Sequence, residues 1–435
     1  MQFKPVKFSR FWIANGFALL VALSPIQTKG IASLENISFN NIDENERIVA
    51  NLNNRFELDS KQELEYLIKK YSSSLNNLNP NLGYPRSKSR DESLLLTPNN
   101  KWTSGFFPGI LWQLYKYSQE RKFLRQAEVW TQPIEPQKNN KKTHDLGFIV
   151  FNSFGRGYNY TGNKQYREVI LAAANSLASR YDTKIGAIKS WDWNTNKSWC
   201  IHSPSWTYPV IIDNMMNLEL LFWAAKNGGN PKYYNLAVTH AQKTLQNHIR
   251  ADGSTYHVVD YDRLSGNVIK KVTWQGLSNN SVWARGQAWG LYGFTMTYRE
   301  TEDREFLRAA ERLADFFIDN LPEDRIPYWD FQAANRSDME GKDSSAAAIA
   351  ASGLLELSTL TDNPKKRQLY FQSAKQILKQ LSSPTYLNRN TKKIPLIQHA
   401  IGNYPCKEEV DVSIIYGDYY YIEALLRYDS IVKKE

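Results

Sequence analysis

The chain has 435 residues, 42% of them hydrophobic and 23% charged, with a formal net charge of +10. That balance belongs to a globular protein with a substantial core. The cations are dispersed without a long Lys/Arg run, which argues against a nucleic-acid partner and fits a small acidic ligand better.

Lys4, Lys7 and Arg10 begin the chain, followed by a mostly apolar run from Phe11 to Leu23 and then Pro25. The run is too short to span a bilayer but suits a signal-peptide core. Gly30-Ile31-Ala32 supplies small residues before a cut, with Ser24 as an earlier alternative. Residues 1–32 therefore read as a signal peptide and 33–435 as a single domain, periplasmic or secreted. Cleavage there would remove Lys29 with the three earlier cations and leave about +6. No other apolar run is long enough to cross a membrane, so no membrane partner is expected. The only cysteines are Cys200 and Cys406. Export permits a disulfide between them, and two buried thiols fit equally well.

From about Asn45 the pattern is helical hairpins. Polar turns recur at Ser118 to Phe123, Thr161 to Tyr166, Gly229 to Tyr233, Thr301 to Phe306 and Thr361 to Lys365. Each follows an apolar helix, and most precede an Ala-rich amphipathic one, the mark of a degenerate repeat. Segments such as Ala346 to Leu357 are apolar all round and read as buried, whereas Leu307 to Ala314 carries an apolar stripe facing inward. Five turns and a final apolar helix at Ile414 to Tyr428 give about six pairs. The expected fold is all-α, an (α/α)6 barrel, with a short β-hairpin at Ser254 to Tyr261 and Val268 to Trp274.

The segments entering the inner helices carry unusual side chains. They are Trp102 to Gly109, Thr143 to Phe148, Ile211 to Asn217, Ser281 to Trp289, Asp343 to Ser345 and Tyr416 to Tyr419. Helix capping would want Ser, Asp or Asn there, not Trp, His and Arg beside them. Asp213 stands between two isoleucines and two methionines. Burial would raise its pKa towards the range of a general acid, whereas capping would lower it; both readings are open at this level. Asp343 and Asp418 read as caps, and Ser344-Ser345 as close packing. His257 and Gln275 fall in an irregular stretch where ordinary packing roles also fit. Aromatic residues are abundant, and Trp and Tyr faces suit stacking on sugar rings.

Taken in order, Trp102 to Gly109, His144 to Phe148, Asp213 to Asn217, Arg285 to Trp289, Pro327 to Phe331, Asp343 to Ala347 and Tyr416 to Tyr419 resemble the unsaturated glucuronyl hydrolases, glycoside hydrolase family 88. The resemblance runs from about Phe56 to Tyr428. It implies an (α/α)6 barrel acting on oligosaccharides that end in a 4,5-unsaturated uronic acid, the product of polysaccharide lyases. The reaction it implies is hydration of the C4=C5 enol ether: an acid protonates C4, water adds at C5, and the hemiketal opens to expel the next sugar. Asp213 would be that acid and then take a proton from the water. Asp145 would be the second carboxylate, holding a hydroxyl and offsetting charge at C5. The carboxylate-separation rule of ordinary glycosidases would not apply.

The same resemblance places His144, His257, Gln275 and Arg285 around the substrate. The planar fork of Arg285 suits the uronate carboxylate. Trp102 and Trp289 would form apolar walls and Trp193 or Trp199 a stacking face, with Tyr404, Lys407 and Gly417 completing the substrate-binding set. Family members that prefer sulfated fragments can carry Ser-x-x-Ser-x-Lys before the last inner helix. Here the stretch is Gly402 to Lys407, which keeps Lys407, with Lys392 and Lys393 nearby, and lacks both serines. HExxH and clustered Cys/His are missing and the chemistry needs no Lewis acid, so neither metal nor cofactor is expected. An unsaturated rhamnogalacturonyl hydrolase acting on pectin fragments, or a non-catalytic carbohydrate-binding ring, are the alternative readings.

Overall fold

Twelve α-helices, counted among the described residues, arrange as six inner and six outer members. The computed structural model describes residues 58–192, 205–339 and 341–434, which belong to one compact unit, Leu58–Glu435. In chain order the helices are α1 (Ser60–Ser74), α2 (Phe106–Ser118), α3 (Arg121–Thr131), α4 (Arg156–Thr161), α5 (Lys164–Ala178), α6 (Leu218–Lys226), α7 (Lys232–His248), α8 (Ala284–Thr301), α9 (Arg304–Asp319), α10 (Ser344–Leu360), α11 (Pro364–Leu381) and α12 (Ile415–Val432). The even-numbered ones form the inner ring, closed where α12 packs against both α10 and α2. Two of them start irregularly: a π-helical stretch, Gly147–Gly155, runs into α4, and a 3₁₀ stretch, Ile212–Asn217, runs into α6.

Polarity decides the layer of each helix. In α10 nearly every residue is buried, because Ala, Leu, Ile and Ser cover its whole circumference. In α9 the buried set Phe306, Leu307, Ala310, Leu313, Ala314 and Phe317 follows the 3.6-residue period. The predicted turns are the inner-to-outer links. Asn163, Asp303 and Asn363 each cap the outer helix that follows, accepting from backbone N–H groups two or three residues on. Pro364 stands at the first position of α11, where its missing N–H costs nothing.

Below the inner-helix N-termini the barrel interior is polar. Arg299 pairs with Glu219 and Glu356, each at 2.5 Å, and Arg427 pairs with Glu356 at 2.8 Å. Arg156 pairs with Glu423, which also accepts from Tyr292 at 2.9 Å and Ser352 at 2.7 Å. Five of the six inner helices contribute to this lattice, so opposite charges satisfy one another where apolar packing is interrupted.

The strands exceed the expected single hairpin. β1 (Tyr84–Lys88) and β2 (Leu94–Thr97) combine with β8 (Ala400–Asn403) and β9 (Glu408–Ile414) in an antiparallel sheet of order β2-β1-β9-β8. A ribbon pairs β3 (Tyr181–Asp182) with β4 (Ala187–Ile188). The expected hairpin is present as β6 (Val258–Tyr261) and β7 (Val268–Val272), joined in a three-stranded sheet by β5 (Pro209–Ile211). Its turn closes where Asp262 accepts from Leu264 and Ser265 N–H and Gly266 takes φ +76°.

Candidate active site

Segments at the starts of five of the six inner helices, α2, α4, α6, α8 and α12, line one cavity of about 350 Å³. Those ends carry partial positive charge, which favours anions in the space between them. Asp213, Asp145, His144, Trp102, Trp289, Gln275 and Arg285 all line it.

Strand register brings Asp213 and His257 together. Ile211 on β5 lies opposite Val258 on β6, and the Ile212 N–H donates to the His257 carbonyl at 3.0 Å. The His257 Nε2 then stands 3.8 Å from Asp213 Oδ1. Backbone N–H groups of Trp274 and Gln275 donate to His257 Nδ1 at 3.2 and 3.3 Å. An Nδ1 that accepts leaves the ring proton on Nε2, the nitrogen turned towards Asp213.

Asp213 lies in the first turn of the 3₁₀ stretch, but Ile211 holds the cap position and no side chain caps it. Its Oδ1 is buried without a hydrogen-bond partner among the described residues. Burial pushes the carboxyl up to about 7, helped by the negative charge of Asp145, while His144, its own backbone N–H and Arg285 oppose the rise.

Asp145 goes the other way. Thr143 Oγ1 donates to its Oδ2 at 2.7 Å, and His144 Nε2 lies 3.2 Å from its Oδ1. Burial opposes ionisation here too, but His144, Thr143 and Arg180 outweigh it and hold the carboxyl below its usual value. Gly147 lets the two acid-bearing segments touch: a methyl group there would lie 2.6 Å from Asn217 Cα. Asn217 Oδ1 in turn accepts from Phe148 N–H at 3.0 Å and locks the contact.

The sequence profile of Glycosyl Hydrolase Family 88 matches residues 83–420. The chain belongs to that family. An unsaturated glucuronyl hydrolase of Formosa agariphila is 43% identical over 387 residues, covering 86% of this chain and 94% of the relative. An unsaturated chondroitin disaccharide hydrolase of Streptococcus pyogenes is 35% identical over 355 residues, covering 79% and 85%. The crystal structure of an unsaturated glucuronyl hydrolase specific for heparin superposes with a TM-score of 0.80 at 42% identity, covering 86% of this chain and 98% of that one. The (α/α)6 barrel is the fold that this family 88 hydrolase shares with such structures.

Several residues expected around the substrate of a family 88 hydrolase already have protein partners or stand off the lining. Arg285 is on the lining with its fork bonded within the protein: Nη1 donates to Asp343 at 2.6 Å and the Ile401 carbonyl, and Nη2 to the Gly402 carbonyl at 2.5 Å. It is 1% exposed and ties α8 and α10 to β8. Tyr404 stacks flat on Trp329 at 4.5 Å and does not line the cavity. Lys407 sits exposed in the turn between β8 and β9, away from the lining. Lys392 and Lys393 are also exposed outside it. Gly417 faces Ser345 behind the wall formed by Tyr416. Gln275 stays on the lining, with its Nε2 donated to Gly402 O at 2.7 Å and its Oε1 left as the acceptor. Trp193, Trp199, Cys200 and the leader at 1–32 lie outside the described residues, while Cys406 is buried beside Trp206 and Trp274.

The cavity also has walls that the motifs did not signal. Trp191 and Trp274 add aromatic surface beside Trp283 of the Ser281 to Trp289 segment, and Arg86 on β1 grips Glu409 on β9 through Nε at 2.9 Å and Nη2 at 2.6 Å. The tryptophans stood next to quoted motifs and their type was a usable signal. Arg86 and Glu409 depend on a strand pairing 323 residues long in sequence separation, which no local pattern carries. Asp343 caps α10 through Ser345 and Ala346 N–H, as expected, besides pairing with Arg285. Asp418 is not a cap: it lies inside α12 and accepts from Leu396, Ile397 and Tyr71, fixing a loop.

Proposed function

We propose that this hydrolase removes a 4,5-unsaturated uronic acid from the non-reducing end of lyase-generated, glycosaminoglycan-like oligosaccharides by hydrating the C4=C5 enol ether. The observation that carries this reading is the contrast between two neighbouring carboxyls, Asp213 raised to about 7 and Asp145 depressed. A neutral acid beside an ionised one is what protonation of a carbon with charge development nearby requires. Asp213 gives its proton to C4, Asp145 offsets the positive charge growing at C5 and the ring oxygen, and one water adds at C5. The water's proton returns to Asp213, and the hemiketal opens and releases the next sugar. Gln275 Oε1 offers an acceptor to hydroxyls, His257 backs Asp213 from outside the lining with Nε2 3.8 Å from Oδ1, and Trp102 and Trp289 bound the ring. The relatives support the substrate class: one is an unsaturated chondroitin disaccharide hydrolase, and a variant of the unsaturated glucuronyl hydrolase from Streptococcus agalactiae was crystallised with dGlcA-GalNAc6S.

The test is a panel of defined unsaturated disaccharides followed by ultraviolet absorbance of the conjugated double bond. Absorbance falls with turnover; no decay on any glycosaminoglycan product sinks the reading, and decay confined to pectin fragments moves it to the rhamnogalacturonyl alternative. In the same reading the chain is exported through its basic start and apolar run, Lys4 to Leu23.

The pH profile follows from Asp213. The acid must carry its proton, so it is competent below about 7 and loses competence as pH rises through that value. We expect kcat to fall roughly tenfold per unit on the alkaline side. Initial rates from about pH 5 to pH 9 check this, and a rate that climbs through neutrality contradicts it.

A further inference from the structure

Among the described charged residues on the cavity lining, most are committed. Arg86 holds Glu409, Arg285 holds Asp343, and Asp145 and Asp213 form the acidic pair. Glu408 on β9 also has a partner. Two cations remain: Lys101 and Lys142 line the same cavity, are exposed, and have no ion pair among the described residues. Lys101 immediately precedes Trp102, and Lys142 precedes Thr143 and His144, so each stands where its loop turns from solvent into the cavity wall. Those loops enter α2 and the Gly147–Gly155 stretch, which are neighbours in the inner ring. The two lysines therefore stand on adjacent segments of the cavity wall. The β8–β9 turn offers nothing comparable, since Lys407 lies off the lining.

We propose that Lys101 and Lys142 form an anion clasp that takes a sulfate ester on the sugar next to the unsaturated uronate. This rests on the proposed function, in which the uronate sits deep, against Asp213, and the next sugar extends towards the mouth. A sulfate ester is ionised at every working pH, and two flexible ammonium groups can follow it without demanding one geometry. The exposed setting makes the attraction modest and sensitive to salt.

The test uses two unsaturated disaccharides that differ only by a sulfate on the second sugar. We expect the full-length protein to prefer the sulfated one in kcat/KM. The double variant Lys101→Gln/Lys142→Gln should reduce that preference about tenfold, and added sodium chloride should reduce it in the parent but hardly in the variant. A preference that survives the double substitution overturns the clasp. So does an equal loss on both disaccharides, which would mean that the lysines hold the uronate itself. If the parent turns over neither compound, the proposed function has failed; calorimetry of the same two disaccharides then decides the clasp, and equal affinity for both refutes it.

Discussion

Substitution of Asp213 by asparagine is expected to lower kcat by about 10³-fold or more while leaving the dissociation constant of an unsaturated disaccharide within a few-fold of the parent. Positioned general acids contribute typically 10²–10⁴-fold, and here one group is asked both to give a proton to C4 and to receive one from water. Asparagine keeps the size and the neutrality of the protonated acid, so the cavity should hold substrate as before. It has no acidic proton to give. The change also removes a buried carboxyl whose ionisation burial disfavours, so the variant should be no less stable above pH 7. Stopped assays for kcat and calorimetry for binding separate the two effects. Turnover near the parent rate would transfer the acid role to another group, and lost binding would make Asp213 a substrate ligand instead.

How far the sequence foretold this site depended on the range of the interaction involved. The inner and outer helices were legible because each carries its own layer in its pattern: all-round apolar for α10, a single stripe for α9. The turns were legible through capping chemistry confined to three or four residues, as at Asn363-Pro364. The acids were legible because the inner helices they precede start at the cavity, so position along the chain already implied position in the ring. The polar sheet was not. β9 reads Glu-Glu-Val-Asp-Val-Ser-Ile, with Lys407, Glu409 and Asp411 at positive φ. Its register against β8 shifts between Ala400 and Ile401, and such a bulge reverses which residues face the cavity. Counting along the chain therefore could not show that Tyr404 turns to Trp329 and Lys407 to solvent. Arg285 has a long-range partner that no local pattern carries. Its chemistry suits a carboxylate, and it does hold one, but that carboxylate is Asp343, 58 residues on.

The Arg285–Asp343 pair sets the second large expectation: Asp343→Ala should destabilise the protein by about 3–5 kcal/mol. The two side chains are 1% and 0% exposed, so the substitution would leave a guanidinium that cannot discharge buried against Trp283 and Tyr416. Loss of the cap on α10 adds about 1 kcal/mol, since Asp343 Oδ1 serves Ser345 and Ala346 N–H. Against a total stability of roughly 5–15 kcal/mol, that is severe, and denaturant unfolding should show it as a lower midpoint. Asp343→Asn keeps the cap and the shape but not the charge, so its loss should be smaller. A paired change, Arg285→Met with Asp343→Ala, separates stability from activity. With the buried charge gone, the fold should recover part of the loss. The cavity should not recover, because Arg285 also holds the Ile401 and Gly402 carbonyls, and Gly402 and Asn403 are part of the lining. An Asp343→Ala midpoint equal to the parent's would show that the pair is neutral. Full activity in the double variant would show that β8 holds its place without the arginine.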